Sequence, residues 1–468
     1  MRGRTSIARV ALAGLGLGAL VGGAGVSTSA CSNSDDTAGL GGYVFADGGT
    51  GGSTNDAVIA SEGGGAVLKA FAYPPDPGGG AFYVTISGES NAYTGYPFPP
   101  DNFSADTYMP DGWQFEILEY LVVVDQIVLW SDPDKSITDQ SQHGAQIAHL
   151  DGPFVVDLHK GGKIVGQGGY PELATPLGSI TSQNDNGNAS FDTSGGTRYG
   201  FGFSTVPATY DAYNVNLDDS ESADFALMVA NGYTVFYRGM AVWKGDDPAN
   251  PYPCEQTAAG PGNADGGGYD FSAIDELTFS FALGFPTPTN YVNCQNMTGG
   301  GTPLQGEDYA RGVYASPSQS SIAQVTIHMD HPFWESFQED SPVHWDNIAA
   351  QYVGSTQNPV PVRTEDFIGV GFHPWFDGAG TPLPWRNCVG SYYSPPGNGQ
   401  MFFSTLSVPI DPSAECTGTI GVDYKHSYCP AIRDYYDYIR YTQSTQGHLN
   451  SQGLCYIDRQ FPSPAGGS

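Results

Sequence analysis

The sequence predicts an all-β protein of β-sandwich architecture with a few short helices. Apolar and polar residues alternate with a period of two in several segments, which is the pattern of half-buried strands. The chain also contains 64 glycines and 34 prolines, residues that mark turns between short strands. Helical periodicity is confined to three short segments. Many strands, many turns and few helices together indicate a sandwich.

The predicted strands follow one another along most of the chain. They are Phe82 to Ile86, Trp113 to Trp130, Phe154 to Leu158, Arg198 to Phe203, Tyr233 to Trp243 and Leu277 to Phe285, with a weaker strand near Ala66 to Ala72. The predicted helices are Asp224 to Ala230, a helix capped by Ser341 with Pro342 at its first position, and Pro430 to Thr442.

The first 30 residues have the layout of a secretory signal peptide. Three arginines precede an uncharged run from Val10 to Ala30, which is too weakly apolar for a membrane helix of roughly 20 strongly apolar residues. The residues Thr28-Ser29-Ala30-Cys31 resemble the lipobox of bacterial lipoproteins, although Thr28 stands where leucine is usual. The resemblance implies a lipid on Cys31 and a protein at the outer membrane or cell surface. Ordinary cleavage after Ala30 is the alternative.

The rest of the chain divides by composition. Residues 31–80 are rich in Gly, Asp, Ser and Pro and are expected to form a flexible tether. Residues 81–245 are expected to form one β-sandwich domain, and residues 269–468 a second β-rich domain packed beside it. Residues 246–268 are a Gly-, Pro- and Asp-rich stretch that reads equally as a linker or as a long surface loop within one large sandwich.

The acidic charge excludes one class of partner. All 49 acidic residues follow Cys31 and three of the 17 basic residues precede it, so removal of the signal leaves 14 basic against 49 acidic side chains, a net charge of −35. Such a surface repels nucleic acid and concentrates cations. Nucleic-acid binding is therefore disfavoured, and metal ions are compatible partners, although solubility alone explains such a charge equally simply.

The remaining six cysteines predict disulfides, because an even number in an exported chain forms a disulfide framework. They are Cys254, Cys294, Cys388, Cys416, Cys429 and Cys455. Their pairing stays open, and the lack of a Cys-x-x-Cys motif argues against thiol redox chemistry and zinc knuckles.

A cluster of histidines is the densest set of chemistry-bearing residues. On a strand that continues through residue 330, His328 and Asp330 would project from the same face. His331 would point the other way unless the strand bulges before Pro332. His344 would lie in the first turn of the helix capped by Ser341, and His448 lies in a polar loop near Cys455.

These residues predict a transition-metal site, because both Zn²⁺ and Cu²⁺ bind imidazole nitrogen. The expected ligands are His328, His331 and His344, with Asp330 as a fourth ligand or an acceptor behind them and His448 as an outside candidate. The structural alternative is that the histidines are satisfied members of an aromatic core beside Pro332, Phe333, Trp334 and Trp345.

Two further classes of ligand are compatible with the sequence. Oxygen-rich stretches at residues 184–188 with Asp192, and at Asp246-Asp247, could bind calcium, although neither has EF-hand spacing and both are typical of turns. Aromatic residues make up 13% of the chain, and on a sandwich face they could bind glycan or a surface protein. Hydrolase and nucleotide-binding motifs are absent, so an enzyme is disfavoured without being excluded.

Several blocks resemble a group of secreted lipoproteins of δ-proteobacteria that have no established activity. They are 111–113 with 129–134, 151–159, 291–296, 326–334 and 444–455. The resemblance implies export and lipid anchoring and no particular chemistry. A looser likeness joins His331 and Trp334 to the copper-binding residues of secreted methanotroph proteins, although the spacing here differs.

The sequence therefore favours a lipid-anchored protein that binds copper or zinc for sequestration or delivery. A surface adhesion or glycan-binding module without catalysis is the alternative.

Overall fold

The computed structural model describes residues 67–98, 109, 113–167, 173–244, 278–304, 306–333, 345–349, 360–368 and 435–461. In these residues the protein is mostly β, with strands in two mixed sheets and few short helices, which confirms the predicted fold class. The strands are β1 Lys69–Ala70, β2 Phe82–Ser87, β3 Trp113–Trp130, β4 Gln146–Leu150, β5 Phe154–Asp157, β6 Ile164–Val165, β7 Leu173–Ile180, β8 Arg198–Thr205, β9 Tyr213–Asn214, β10 Val235–Trp243, β11 Thr278–Phe285, β12 Thr289–Val292, β13 Val313–Tyr314, β14 Ser321–Ile327, β15 Val362–Arg363, β16 Gly447–Leu449, β17 Gly453–Leu454 and β18 Tyr456–Arg459.

The larger sheet is organised around the long strand β3. Its main path runs β1-β9-β5-β3-β10-β11-β15, and β4 and β8 also pair with β3 along its second half. Both faces of β3 are buried at its centre. Tyr120, Val122 and Val124 face one apolar core, while Leu121 and Val123 face a smaller core on the other side. Burial on both faces explains why the sequence is continuously apolar there.

The smaller sheet has the order β17-β16-β14-β2-β7-β6 in the described part of the chain. Strand β14 lies between β2, to which it is parallel, and β16, to which it is antiparallel. Apolar side chains of this sheet, such as Val84 and Val325, share the main core with Tyr120 and Val122 of the larger sheet. The two sheets therefore bury one apolar core between them, and the ends of β2, β14 and β16 meet beside it.

The described helices are short: α1 Glu89–Thr94, α2 Ser222–Asn231, α3 Asp346–Ala349 and α4 Tyr435–Gln443. Helix α2 confirms the helix predicted at Asp224 to Ala230 and packs Phe225 and Met228 into the smaller core. It ends at Gly232, whose φ of 66° is left-handed and suits glycine. Helix α4 overlaps the helix predicted from Pro430 to Thr442 and ends one residue later, at Gln443, while residues 430–434 are outside the described residues.

Strands from both sides of residues 246–268 pair with each other. Strand β10 pairs with β11 in the larger sheet, and β2 pairs with β14 in the smaller one. The strand expected near Ala66 to Ala72 is present as β1, and Phe71 beyond it packs edge-on against Phe154 of β5.

Cys294 and Cys455 form a disulfide across a sequence separation of 161 residues. It joins the chain just after β12 to the chain between β17 and β18. The other five cysteines, the predicted signal peptide and most of the predicted tether lie outside the described residues.

None of the helices in the described ranges combines the length and apolarity needed to cross a membrane.

Candidate metal centre

Two histidines are brought together by the pairing of β14 with β16. The antiparallel register places Thr326 opposite His448, and the backbone N–H of His328 donates to the Gln446 carbonyl at 2.9 Å. His328 is therefore the diagonal neighbour of His448 on the same face, within reach of its side chain. The two imidazole centroids lie 4.3 Å apart.

A turn brings the third histidine to the same place. Strand β14 ends at Ile327, so it does not continue through Asp330 as the sequence suggested. A 3₁₀ turn over His331–Phe333 follows instead, closed by a hydrogen bond from the Phe333 N–H to the Asp330 carbonyl. The His331 ring lies 5.4 Å from the rings of both His328 and His448.

The cluster contains a group that could hold a metal ion. His328, Asp330 and His331 each offer one ligand atom, and the three atoms lie within 4.8 Å of one another. Ligands on a tetrahedral zinc ion, with bonds of about 2.0–2.1 Å, lie roughly 3.4 Å apart. Side-chain rotations that move the ligand atoms by about an ångström would therefore bring all three within bonding distance of one ion. It is the one such group in the part of the chain that the structure describes.

The hydrogen bond to Thr445 fixes the tautomer of His331. The Thr445 hydroxyl lies 2.6 Å from His331 Nδ1 and 2.7 Å from the Thr442 carbonyl. A carbonyl can only accept, so the single hydroxyl proton goes to Thr442 and Thr445 accepts from His331 Nδ1. Nδ1 therefore carries the proton, and the lone pair of the neutral ring is on Nε2, which lies 4.0 Å from the Asp330 carboxylate.

A backbone carbonyl fixes His328 in the opposite tautomer. His328 Nε2 lies 2.9 Å from the Ser451 carbonyl and must donate to it. The lone pair of neutral His328 is therefore on Nδ1. Partners that hold the second nitrogen of a histidine are characteristic of metal ligands, because they orient the ring and raise its basicity.

Burial keeps two of the rings neutral. The pKa of His331 lies well below its usual value because of burial and then the proximity of His328 and His448. Burial and then the proximity of His328 also lower the pKa of His448. A hydrogen bond with the backbone of Thr445 raises this pKa, but less strongly. Nδ1 of His448 is buried without a hydrogen-bond partner of acceptable geometry. Neutral imidazole is the form that binds metal.

Two buried tyrosines lie next to the cluster and hydrogen-bond to its surroundings. The rings of Tyr120 and Tyr237 stack with centroids 4.5 Å apart, and both are fully buried. Tyr237 donates to Gln446 Oε1 at 2.9 Å, and Tyr120 Oη lies 3.4 Å from the His328 carbonyl. Burial raises the pKa of both tyrosines well above the usual value, so both remain protonated donors.

The structure brings His328, Asp330 and His331 together, and the His448 ring lies 4.3 Å from that of His328, although His448 is not part of the group whose ligand atoms lie within 4.8 Å of one another. His344, Trp334 and Asp246-Asp247 are outside the described residues. The stretch 184–188 is a turn in which Asp185 contacts His149 and Gln146 rather than other carboxylates.

Sequence reasoning missed several residues of the cluster. Thr445 and Ser451 lie in or next to the polar stretch around His448, where polar residues were expected to be exposed. In the structure they are only 3% and 6% exposed, which the sequence alone does not reveal. Tyr120 and Tyr237 were assigned to strands only. Glu89, whose carboxylate lies 3.4 Å from His328 Nδ1, carried no recognisable signal, because its approach depends on the pairing of β2 with β14.

The comparisons with known proteins add no relative: no family model matches the chain, and neither a curated protein nor a solved structure is detectably similar to it.

Proposed function

We propose that the protein binds a transition-metal ion, zinc or copper, at the cluster of His328, Asp330, His331 and His448. The observation that carries the proposal is the convergence of the first three ligand atoms within 4.8 Å. The partners of His328 Nε2 and His331 Nδ1 support it, because a hydrogen bond to one ring nitrogen orients a histidine for metal binding through the other.

The donor set favours a borderline metal over a hard one. Calcium and magnesium take oxygen ligands, whereas imidazole nitrogens with a carboxylate suit Zn²⁺ and Cu²⁺. The histidines are almost completely buried, while the Asp330 side chain is 17% exposed. An ion held there is largely shielded from solvent, and this supports sequestration or delivery as the role rather than turnover.

The test is metal stoichiometry and affinity after stripping with a chelator. Wild-type protein should bind one Zn²⁺ or Cu²⁺ ion, and the double variant His328→Gln/His331→Gln should lose at least tenfold in affinity. His143→Gln is the matched control, because His143 is a half-buried histidine whose ring stacks on Trp130 and whose Nδ1 contacts the Gly144 carbonyl. Equal metal content in the wild type and the double variant would refute the proposal.

We also propose that the protein is exported and lipid-anchored through Cys31. The disulfide between Cys294 and Cys455 supports export, because such bonds persist in oxidising compartments. Metabolic labelling with a fatty acid should tag the wild type and not Cys31→Ala. Equal labelling of both proteins would exclude Cys31 as the attachment point.

A further inference from the structure

Glu89 approaches the metal cluster from a separate part of the chain. It is the first residue of α1, which follows β2. The parallel register of β2 and β14 pairs Ser87 with Thr326, so the chain leaves both strands at the same edge of the sheet. Two residues further along, Glu89 and His328 occupy corresponding positions.

Ser451 holds the two side chains against each other. Its hydroxyl donates to Glu89 Oε1 at 2.6 Å, while its carbonyl accepts from His328 Nε2 at 2.9 Å. The second carboxylate oxygen, Oε2, then lies 3.4 Å from His328 Nδ1. The side chain of Glu89 is 23% exposed and that of His328 is 9% exposed, so Glu89 stands at the more accessible side of the pair.

The two facing atoms are both acceptors in the neutral state. His328 uses its one proton on Nε2, so a lone pair of Nδ1 faces a carboxylate oxygen. Two acceptors at this separation repel each other unless a positive species lies between them. A proton on Nδ1 or a metal ion would fill that place, and only a metal ion makes Glu89 a ligand.

The separation matches a shared metal ion. Two ligands bonded at about 2.0–2.1 Å with a tetrahedral angle between them lie roughly 3.4 Å apart. Glu89 is outside the group whose atoms lie within 4.8 Å of one another, and its contact with the cluster is the one with His328 Nδ1.

Three residues at this junction have a left-handed backbone conformation. Six described residues other than glycine have positive φ, and three of them are Glu89 at 60°, Asn450 at 51° and Ser451 at 74°. Such conformations are disfavoured for side chains larger than glycine, and they concentrate at ligand-binding sites. The three strained residues are Glu89 itself and the turn that holds it.

We propose that Glu89 is a ligand of the ion bound by His328, so that the ion joins α1 to β14 and to the turn at Asn450-Ser451. The inference rests on the proposed function and adds an anionic ligand to it. Two carboxylates with neutral imidazoles favour a divalent ion over Cu⁺, which prefers sulfur ligands.

The test compares Glu89→Gln with the matched control Glu116→Gln, a glutamate on β3 that is exposed. Glu89→Gln should weaken Zn²⁺ binding by about 10–100-fold, and the control should leave it unchanged. Because Co²⁺ substitutes for Zn²⁺ and has a visible d–d spectrum sensitive to its ligands, the Co²⁺ form of Glu89→Gln should also show an altered spectrum. The metal-free variant should unfold at the same urea concentration as the wild type or a higher one, since the new amide can donate to His328 Nδ1.

The outcomes separate this inference from the proposed function. Unchanged affinity, or weakened affinity with an unchanged Co²⁺ spectrum, would remove Glu89 from the ligands and leave the histidine site standing. Failure of the wild type to bind Zn²⁺ or Co²⁺ at all would defeat the proposed function, and the role of Glu89 with it.

Discussion

At the scale of single residues, Thr445 decides which nitrogen of His331 can bind a metal. The hydroxyl accepts from Nδ1 because its own proton is committed to the Thr442 carbonyl. Thr445→Val keeps the shape and removes the acceptor, which frees the ring to rotate or change tautomer. We expect the affinity for Zn²⁺ to fall by about 10–100-fold, measured by competition with a chromogenic chelator.

Thr442→Val is the control for that substitution. Thr442 is equally buried, but its hydroxyl bonds to helix carbonyls of Tyr438 and Ile439 and not to an imidazole. It should cost stability without changing the affinity for zinc. Equal losses of affinity in the two variants would show that Thr445 acts through general packing.

A second residue-scale prediction concerns two carboxyl pairs beside α2. Burial, with Asp224 close by, raises the pKa of Glu119 to about 9. Burial and the charge of Asp157 raise the pKa of Glu221 to about 8. Oxygens of Glu119, Asp157 and Glu221 are buried without a partner, as expected where two carboxyl groups share one proton.

The raised pKa values make stability fall as pH rises. Above pH 4.5 the unfolded chain loses these protons while the folded protein retains them, so the free energy of unfolding decreases until the folded pKa of about 8 or 9 is passed. The decrease is at most about 1.4 kcal/mol per pH unit for each group. Urea midpoints at pH 6 and pH 8.5 should differ more for the wild type than for Glu119→Gln, whose amide always donates. Glu116→Gln, on the exposed face of the same strand, should behave as the wild type.

At the scale of elements, Gly88 sets how closely α1 packs. A Cβ at this position would lie 2.6 Å from Ala92 Cβ, 2.9 Å from Leu158 Cβ and 3.2 Å from the Tyr120 ring. Gly88→Ala should therefore move α1 and Glu89 outwards, with a cost of about 1–3 kcal/mol in stability and a weaker affinity for zinc. Calorimetry and zinc titration measure both effects.

Gly300→Ala is the control, because nothing lies within 4 Å of its added Cβ and its φ is not left-handed. It should change neither quantity. Unchanged zinc affinity in a destabilised Gly88→Ala would show that the position of α1 does not matter to the metal site, and would count against Glu89 as a ligand.

The sequence predicted the elements of the site better than their arrangement. Alternation identified β2, β8 and β11, because the period of two follows directly from strand geometry, whereas β3 was recognised from its long apolar run. The group of His328, Asp330 and His331 could be found because its members are adjacent in sequence. The geometry predicted for this group was wrong in one respect, because the strand ends at Ile327 and Pro332 lies in a 3₁₀ turn. The approach of Glu89 and His448 depends on which strands pair, and a single sequence does not specify long-range pairing.

At the scale of the whole molecule, the disulfide between Cys294 and Cys455 closes a loop of 161 residues. Long closed loops restrict the unfolded chain most, so removing the bond should lower the free energy of unfolding by about 2–5 kcal/mol. The double variant Cys294→Ala/Cys455→Ala tests this without leaving an unpaired thiol, and urea denaturation gives the measurement.

The same variant should keep its affinity for zinc within about threefold under native conditions. The disulfide is flanked by pairing that does not need it: Val292 of β12 pairs with Tyr456 of β18, and the Gln295 N–H donates to the Leu454 carbonyl at 2.9 Å. These backbone hydrogen bonds hold the segment that follows Ser451 in place in the folded protein. The disulfide therefore acts mainly by restricting the unfolded chain. A lower urea midpoint with intact zinc binding is the expected result. Loss of zinc binding in a variant that is still folded would instead mean that the disulfide itself positions the turn that holds His328 and Glu89.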